Sequence, residues 1–308
     1  MLSRLILKDA DEIWQFYATL SGMQPGYQQL SAGPAPHVFD VLDLEGVSLV
    51  KVRTSGKTRW IDGKEPGDLH FAWVVNSDAA ISVGGVDLER SHCMVFLPGH
   101  EMEYVFHGNT LTFEICVSED LLDILGWDLT GSPLCATNEA ALQRLSVKCF
   151  SLFELLSDPV DDVTRQTLRD DLLSDLEQTL APWLTKTEHS AEHKDSTVHY
   201  RTMRRIDDYL RDFDYSKPLS IDDLVRDLGM SRRTIHYAFR RHLDITPRRY
   251  IELLRLHQLR HHLKRAMPGE TTISKLALGL NFSDLGRMSG KYQRFFGEYP
   301  SQTLANFS

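Results

Sequence analysis

Two segments in the last third of the chain carry the same pattern of apolar residues. Each places four apolar side chains at positions i, i+3, i+4 and i+7: Ile221, Leu224, Val225 and Leu228 in the first, and Ile273, Leu276, Ala277 and Leu280 in the second. This spacing gathers the apolar side chains on one face of an α-helix. Because the segments begin 52 residues apart, the chain is restricted to folds in which one small helical unit occurs twice.

Both segments also carry the signals that start and stop a short helix. Ser220 and Asp223 form the pattern of a capping box, and Thr272 offers the second segment an equivalent N-cap. Gly229 and Asn281 follow the two stripes, and these residue types best tolerate the left-handed conformation that closes a helix. A second helical stripe follows each turn. Each unit is therefore predicted to be helix, tight turn, helix.

The helix after each turn is predicted to have one apolar face and one basic or small face. The apolar stripes are Ile235, Ala238 and Phe239 within residues 231–242, and Met288, Tyr292 and Phe295 within residues 283–295. The other faces hold Arg232, Arg233, His236, Tyr237 and Arg240, and Ser283, Gly286, Arg287, Gly290, Lys291 and Arg294. One such face alone is most simply a solvated surface. Its recurrence in two helix-turn-helix patterns favours contact with the major groove of DNA.

The distribution of charge supports a polyanionic partner for this region. Residues 1–199 hold 14 Lys and Arg against 31 Asp and Glu, a net charge of −17, whereas residues 200–308 hold 20 against 12, a net charge of +8. Such asymmetry is typical of chains in which one part binds nucleic acid. Residues 184–199 have few apolar side chains and no periodicity, which predicts a linker between domains at 1–183 and 200–308.

Another helix is predicted between the two repeated units. Between Pro247 and Ala266, apolar residues step by three or four, at Tyr250, Leu253, Leu256, Leu259 and Leu263. Proline suits the first turn of a helix, and a Pro-Gly pair follows its end. About 18 helical residues span about 27 Å, so this helix can hold two recognition helices near the ~34 Å repeat of DNA. Both are expected to enter successive major grooves.

These features together resemble the AraC/XylS family of bacterial transcription regulators. The resemblance covers about residues 200–307 and rests on Ile221, Leu224, Val225, Leu228, Gly229, Met230, Ser231, Ile235 and Phe239, then Thr246, Pro247, Tyr250, Arg255, Leu256 and Leu263, then Ile273, Leu276, Ala277, Leu280, Phe282, Tyr292, Phe296, Gly297 and Pro300. It implies two helix-turn-helix motifs on a linker helix. It also implies that Arg233, His236 and Tyr237 contact bases or phosphates, as do Gly286, Arg287 and Gly290 in the second motif.

Three positions depart from the family pattern. The family usually has glycine where this chain has Asn281, phenylalanine at Met288, and often a long polar or cationic side chain at Gly290. Two glycines in one helix cost about 1 kcal/mol each relative to alanine, which counts against base reading by the second recognition helix. Within the family, residues 284–288 and 231–234 most resemble regulators of the ethanolamine-operon type.

The first half of the chain is predicted to be rich in β-structure. Short β-prone runs alternate with turn residues at Val38–Leu44, Val47–Arg53, Thr58–Ile61, Leu69–Val75, Ile81–Val83, Cys93–Phe96, Met102–Phe106 and Leu111–Val117, after a helix predicted at Asp9–Leu20. This spacing fits a sandwich or small barrel. The family resemblance implies a cupin-like β-barrel followed by helices, which senses an effector or dimerises.

Two amphipathic helices are predicted to follow the strands. Their stripes are Leu142, Leu145, Phe150, Phe153 and Leu156, and Val163, Leu168, Leu172, Leu176 and Leu180. Leucine-striped antiparallel helices serve either as a dimer seam or as a cover for the domain's own sheet, and the sequence leaves both open.

Four cations stand close together in the otherwise acidic half, at Lys51, Arg53, Lys57 and Arg59. Strand alternation pairs them two by two across a turn at 54–56. They are interpreted as an anion site with Trp60, His70 and Trp73 as stacking neighbours, suited to a nucleotide effector; an exposed hairpin is the alternative.

Other classes of site are not predicted. His92, His100, Glu101, Glu103 and His107 lack a metal-ligand spacing, and the motifs of hydrolases, phosphate-binding loops and dinucleotide-binding folds are missing. We therefore expect no enzyme activity, metal or cofactor; a cupin-type metalloenzyme or a ligand-independent dimerisation domain fused to the DNA-binding part is the alternative. No apolar run approaches about 18 residues, so a cytoplasmic protein is expected. The expected partners are promoter DNA, a small-molecule effector, a second copy of the chain and RNA polymerase.

Overall fold

The protein is described by a computed structural model at residues 2–10, 12–13, 15–16, 26–62, 68–96, 102–127, 134–156, 160–184, 194–266 and 271–306. The chain divides into two compact units. The N-terminal unit comprises Met1–Gln29 and Ala35–Glu192, and the C-terminal unit comprises Leu30–Pro34 and His193–Ser308. Within the described ranges, none of the helices has the length and apolar character needed to cross a lipid bilayer.

The N-terminal unit is built on two antiparallel sheets. Its strands are β1 (Leu2–Leu7), β2 (Gln28–Gln29), β3 (His37–Asp43), β4 (Val47–Thr54), β5 (Thr58–Asp62), β6 (Leu69–Ser77), β7 (Ile81–Val83), β8 (Val86–Asp87), β9 (His92–Phe96), β10 (Met102–Phe106), β11 (Thr110–Val117) and β12 (Leu134–Ala136). One sheet has the order β1-β3-β4-β11-β6-β9-β12, and the other has the order β2-β5-β10-β7-β8.

Neither sheet closes on itself through the strands that the structure describes. In the larger sheet, β1 pairs with β3 and β12 pairs with β9, so both remain edge strands. The predicted closed cupin-like barrel is therefore not found. Instead, the two sheets share an apolar core, in which Phe39 and Val52 of the larger sheet join Trp60 and Phe106 of the smaller one. That arrangement is a sandwich, the other architecture that the strand spacing allowed.

The strands of the larger sheet separate two kinds of environment. Because successive side chains point to opposite faces, Phe71 and Trp73 of β6 pack with Phe113 of β11 beneath the helices. The intervening residues of both strands, such as Ala72 and Cys116, face the space shared with the smaller sheet. Polar side chains on this inner face, such as His70 and Glu114, therefore lie between the sheets and are partly exposed.

Three helices of the N-terminal unit are α1 (Glu119–Leu125), α2 (Glu139–Leu155) and α3 (Asp162–Leu184). Most of the predicted leucine stripe is buried in the unit's own core, including Leu142, Leu145, Leu172, Leu176 and Leu180. The prediction of a dimer seam made from these leucines is therefore wrong, because they belong to the core that the helices share with the sheet. Of the helix predicted at 9–20, residues 10, 12–13 and 15–16 are helical, and the others lie outside the described residues.

The C-terminal unit is helical. Its helices are α4 (Lys194–Arg211), α5 (Ile221–Leu228), α6 (Arg232–Leu243), α7 (Pro247–Arg265), α8 (Ile273–Gly279), α9 (Leu285–Phe296) and α10 (Pro300–Asn306). Helix α4 begins inside the predicted linker. Its buried stripe of Met203, Ile206 and Leu210 anchors a helix that continues toward the N-terminus through polar residues. Residues 185–193 of the predicted linker lie outside the described ranges.

The helix boundaries of the repeat are set by local side-chain contacts. Both halves of the capping box between Ser220 and Asp223 form, and Gly229 closes α5 with a φ of 64°. In the second unit Asn281 takes the equivalent left-handed conformation with a φ of 60°. Helix α9 is capped by Asp284, whose side chain accepts a hydrogen bond from the amide of Arg287. The helix therefore starts after an aspartate cap, one residue beyond Ser283.

Candidate DNA-binding surface

The first recognition helix, α6, is fixed by a buried stripe. Ile235, Ala238 and Phe239 are fully buried, and the Phe239 ring lies 5.0 Å from the ring of Tyr250 on α7. This stripe turns the opposite side of α6 toward solvent. Of the residues predicted on that side, Arg232, Arg233, Tyr237 and Arg240 are exposed and His236 is half-buried.

The arginines of α6 differ in their surroundings. Arg232 forms an ion pair with Asp222 of α5, which holds its guanidinium against the preceding helix. Within the part of the chain that the structure describes, Arg233 and Arg240 form no ion pair. Arg241, which was not selected from the sequence, is also exposed and forms no ion pair within the described residues. Free guanidinium groups on one helix face are suited to base edges and phosphates.

The exposed aromatic residue of α6, Tyr237, contacts another ring edge-on. The Tyr237 side chain is 56% exposed, and its ring meets the ring of His199 edge-on at 4.7 Å. His199 belongs to α4, within the stretch predicted as linker. The contact leaves most of Tyr237 available on the same side as Arg233.

The second recognition helix, α9, is fixed in the same way. Its buried stripe is Met288, Tyr292 and Phe295, and the Tyr292 hydroxyl lies 2.8 Å from the Thr303 hydroxyl on α10. Ser283, Gly286, Arg287 and Arg294 are exposed, while Gly290 and Lys291 are half-buried. The sequence thus identified the outward face of α9.

The cations of α9 are engaged by other groups of the unit. Lys291 forms an ion pair with Glu252 of α7, and the Arg294 guanidinium donates a hydrogen bond of 3.2 Å to the carbonyl of Gly290. Arg287 stands 3.7 Å from the carboxylate of Asp284. Glu252 also accepts a 2.7 Å hydrogen bond from Arg249, and these cations hold the pKa of Glu252 lowered although burial alone would raise it.

The two glycines of α9 leave open space above the helix. A β-carbon on Gly290 would meet no other atom within 4 Å, and one on Gly286 would meet only an Asp284 oxygen at 3.7 Å. Packing inside the unit therefore does not require either glycine. Their effect is to keep the exposed backbone of α9 accessible at close range.

One helix carries both recognition helices. The 19 residues of α7 span about 28 Å, with Tyr250 against α6 and His257 in edge-on contact with Phe295 of α9 at 5.5 Å. The hydroxyl of Tyr250 also donates a 3.2 Å hydrogen bond to Asp207 of α4. The predicted linker helix is therefore a packed part of the unit.

The seven residues predicted to bind an anionic effector do not form one site. Lys51 and Arg53 both contact the buried carboxylate of Asp40, at 3.2 and 3.1 Å. Arg59, on the other sheet, is fully buried with Glu103 at 2.5 Å. Three of the four cations are thus paired with carboxylates inside the unit, and Asp40 also pairs with Arg4. Lys57 follows the turn between β4 and β5 and also has an interaction partner.

The predicted stacking residues are equally separated. Trp60 is buried between the sheets, with its ring stacked on that of Tyr104 at 5.9 Å. Trp73 lies on the opposite face of the larger sheet, where its indole donates a 2.8 Å hydrogen bond to Ser146 of α2. His70 contacts Glu114 at 2.6 Å, and its ring lies 6.3 Å from Phe96 rather than against Trp60 or Trp73.

His70, Glu114 and Cys116 form a cluster that the sequence reasoning missed. They lie on neighbouring strands, 44 to 46 positions apart, so only the strand register brings them together. Burial favours a neutral imidazole, but Cys116 and Glu114 outweigh it and raise the pKa of His70 well above its ordinary value. Burial, together with Glu114, raises the pKa of the Cys116 thiol to about 11.

The histidines and acids considered from sequence have other roles. The ring of His92 accepts a 3.1 Å hydrogen bond from the amide of Glu89, and Glu103 is the partner of Arg59. The backbone amide of His107 donates to the carbonyl of Ala80. His100 and Glu101 lie outside the described residues.

Comparison with known proteins identifies the C-terminal unit. Residues 224–306 match the family described as a helix-turn-helix domain. The chain is 32% identical over 88 residues to a probable thc operon regulatory protein of Rhodococcus erythropolis, covering 29% of this chain and 26% of that protein. It is 34% identical over 89 residues to XylDLEGF operon transcriptional activator 2 of Pseudomonas putida, covering 29% of this chain and 57% of that protein.

The solved structure of the AraC-like transcriptional activator CuxR is similar over 90% of this chain and all of its own, at 14% sequence identity and a TM-score of 0.47. Of the two curated relatives, this chain spans about a quarter of the length of the Rhodococcus erythropolis protein and somewhat more than half of the Pseudomonas putida protein. The matched region coincides with the two helix-turn-helix units and the helix that joins them. The C-terminal part of this chain is an AraC/XylS-type helix-turn-helix domain.

Proposed function

We propose that this protein is a sequence-specific, DNA-binding transcription regulator whose helices α6 and α9 enter successive major grooves. The observation that carries the proposal is the pair of recognition helices, each with a buried apolar stripe and an outward face, mounted on one continuous helix. The net charge of +8 over residues 200–308 supplies the attraction for phosphate that any such protein needs.

The test is direct binding by the full-length protein. Sequences that it prefers are selected from random duplexes, and affinity for the selected site is measured by fluorescence anisotropy at several salt concentrations. Affinity is expected to fall with salt, with a log–log slope near −0.9 per contacted phosphate. Failure to select any sequence, or an affinity indifferent to salt, contradicts the proposal.

Within α6 we assign different partners to two free arginines. Arg233, near the N-terminus of the recognition helix, reads a base, and Arg240, two turns later, meets phosphate. Arg233→Ala is then expected to weaken specific binding while leaving non-specific binding nearly intact, whereas Arg240→Ala lowers both. Arg211→Ala, which removes an exposed arginine of α4, is the matched control. Equal behaviour of the two α6 variants in a competition assay contradicts this division.

We further propose that the N-terminal unit makes the protein a homodimer. With the leucine stripes buried, the apolar side chains left on the surface of α2 are Val147, Phe150 and Leu155, which are 67%, 39% and 54% exposed. Val147→Glu with Leu155→Glu is expected to give a folded monomer in sedimentation velocity. Ile124→Glu, on α1 at 80% exposure, is the control that leaves the oligomeric state unchanged. A dimer that survives the double substitution contradicts this surface.

Control by a small-molecule effector and activation of transcription complete the proposed function. The two curated relatives are named for operon regulation, one of them as an activator. A promoter-bound activator has RNA polymerase as its natural partner. A reporter fused to a selected site, compared with and without the intact gene, tests the direction of control: lower expression with the protein present contradicts activation. A thermal-shift screen of metabolites on the full chain tests the effector, and a ligand that shifts the melting temperature is expected to change reporter output.

A further inference from the structure

The inner face of the larger sheet carries three side chains of types that bind metal ions. Cys116 of β11 stands directly opposite His70 of β6 in the antiparallel register, and Glu114 lies two residues before Cys116 on the same face. Each offers one donor atom, and the three atoms all lie within 4.8 Å of one another. The cluster therefore brings together a nitrogen, an oxygen and a sulfur donor from two rigid central strands.

The distances between these donors fit a tetrahedral metal ion. The His70 Nδ1 lies 3.6 Å from the Cys116 Sγ, and the Glu114 Oε1 lies 3.8 Å from that Sγ. With Zn–N and Zn–O near ~2.1 Å and Zn–S near ~2.3 Å, tetrahedral angles require about 3.6 Å for both separations. The Nδ1–Oε1 distance is 2.6 Å, a hydrogen bond, and would need to open to about 3.4 Å. Rotation of one glutamate side chain supplies that change.

We propose that His70, Glu114 and Cys116 form a binding site for a divalent transition metal, with Zn²⁺ the best match. Imidazole, thiolate and carboxylate are the three ligand types that zinc takes in proteins, whereas Ca²⁺ and Mg²⁺ require mostly oxygen. Three protein ligands leave one coordination position for water or another small ligand. Without metal, the same groups are held together as a histidine–glutamate ion pair beside a thiol.

A small cavity lies beside one of the three proposed ligands. Glu114 lines a cavity of about 40 Å³ between the sheets, whose other walls include Trp60, Phe96 and Tyr104. That space holds one or a few water molecules and is far below the ~300–1,000 Å³ of pockets that bind metabolites. The apolar walls also lower the local dielectric, which strengthens the attraction between a cation and its charged ligands.

The test uses full-length protein stripped of metal and titrated with Co²⁺, which takes zinc's geometry and reports its ligands by absorption. One equivalent is expected to produce a thiolate-to-cobalt charge-transfer band and the intense d–d bands of a tetrahedral site, and Zn²⁺ is expected to abolish both. Loss of a supporting group beyond the ligands typically costs about 10–100-fold in affinity. Loss of a ligand through Cys116→Ala should therefore lower affinity by at least about 100-fold and remove the charge-transfer band.

The controls separate this cluster from the other histidines and cysteines. His70→Ala and Glu114→Gln are expected to weaken binding, with the charge-transfer band kept at high Co²⁺. Cys149→Ala, which removes a buried thiol of α2, is expected to leave the band and affinity unchanged. X-ray absorption of the zinc-loaded native protein needs no variant, and one sulfur near ~2.3 Å with nitrogen or oxygen near ~2.0 Å is expected. A zinc shell without sulfur, or a band that survives Cys116→Ala, overturns the proposal.

Discussion

The first recognition helix presents arginine side chains, whereas the second presents two glycines over much of the corresponding face. On α6, Arg233 and Arg240 are exposed and form no ion pair within the described residues. On α9, Lys291 is tied to Glu252, and Gly286 and Gly290 leave the helix backbone open. Because both helices have a buried apolar stripe and follow a tight turn, the difference between their exposed faces lies in the side chains presented there. If both helices meet DNA as proposed, one scaffold supports two modes of approach: contact through side chains on α6, and close approach to the backbone on α9.

The two units also differ in the turn between their helices. The first turn closes on a glycine, whereas the second closes on Asn281, whose amide donates a hydrogen bond to the carbonyl of Ser216. Glycine at that position would accept the conformation but could not make this bond. The departure from the family pattern thus connects the second turn to the segment before α5.

If the scaffolds are equivalent, the same core substitution should damage both equally. Phe239 and Phe295 belong to the buried stripes of α6 and α9 and are 0% and 1% exposed. Phe239→Ala and Phe295→Ala should each lower the free energy of unfolding by about 3–5 kcal/mol, because each leaves a cavity. Urea denaturation followed by circular dichroism measures this loss. A cost below about 1 kcal/mol at either site would show that the two stripes are not equivalent.

If only the first helix reads bases through side chains, arginine substitutions should have unequal effects. Arg233→Ala is expected to weaken binding to the selected DNA site by about 1–3 kcal/mol. Arg287→Ala should cost less than about 1 kcal/mol, because its guanidinium stands beside Asp284 and has to leave that carboxylate to reach DNA. Anisotropy titrations at one fixed salt concentration compare the two variants. A larger loss for Arg287→Ala would reverse the assignment of roles.

The two turns can be compared by removing the special residue from each. Asn281→Ala should lower stability by about 1–2 kcal/mol, through left-handed strain and the lost hydrogen bond. Asn281→Gly, which keeps the conformation and loses only the bond, should cost about 0.5–1 kcal/mol. Thermal unfolding of both variants beside Gly229→Ala measures these effects. Equal melting temperatures for Asn281→Gly and Asn281→Ala would mean that the backbone conformation contributes nothing.

The smallest expected change concerns the glycines of α9. Gly290→Ala should stabilise the free protein by about 1 kcal/mol, because alanine favours the helix and its β-carbon meets nothing within 4 Å. The same substitution should weaken DNA binding if the duplex comes close to this backbone. Gly279→Ala, at the end of α8 with equally open surroundings, is the control and should leave DNA binding unchanged. Unchanged DNA binding by Gly290→Ala would show that α9 keeps its distance from DNA.

The helices of the C-terminal unit could be predicted from the sequence because the residues that set their boundaries and faces act locally. Ser220 with Asp223, the left-handed residues after each first helix and the three-and-four-residue stripes all act within one or two helical turns. The exception, the cap of α9, shows the limit of such reading, since Asp284 stands next to an equally plausible serine.

The fold of the N-terminal unit could be predicted only in part. Eight strands were located from turn spacing, but their partners depend on contacts across the whole unit. Lys51 and Arg53 suggested an open anion site because sequence does not show Asp40 on the neighbouring strand β3. The cluster of His70, Glu114 and Cys116 was not predicted, for the same reason. The register between neighbouring strands decides which charged side chains pair, and this register cannot be predicted from composition.

Helix α7, which joins the two helix-turn-helix units without a break, has a consequence for the arrangement of the DNA site. A packed helix such as α7 does not stretch or twist by the amounts that a flexible tether would, so it sets the helical phase between the two contacted DNA elements. Inserting about five base pairs between them would turn one element to the far side of the duplex, since one turn takes about 10.5 base pairs. Base changes within an element would remove single contacts, but a change of spacing would disengage a whole recognition helix. If the protein regulates promoters as proposed, those promoters are expected to vary in sequence while keeping this interval constant.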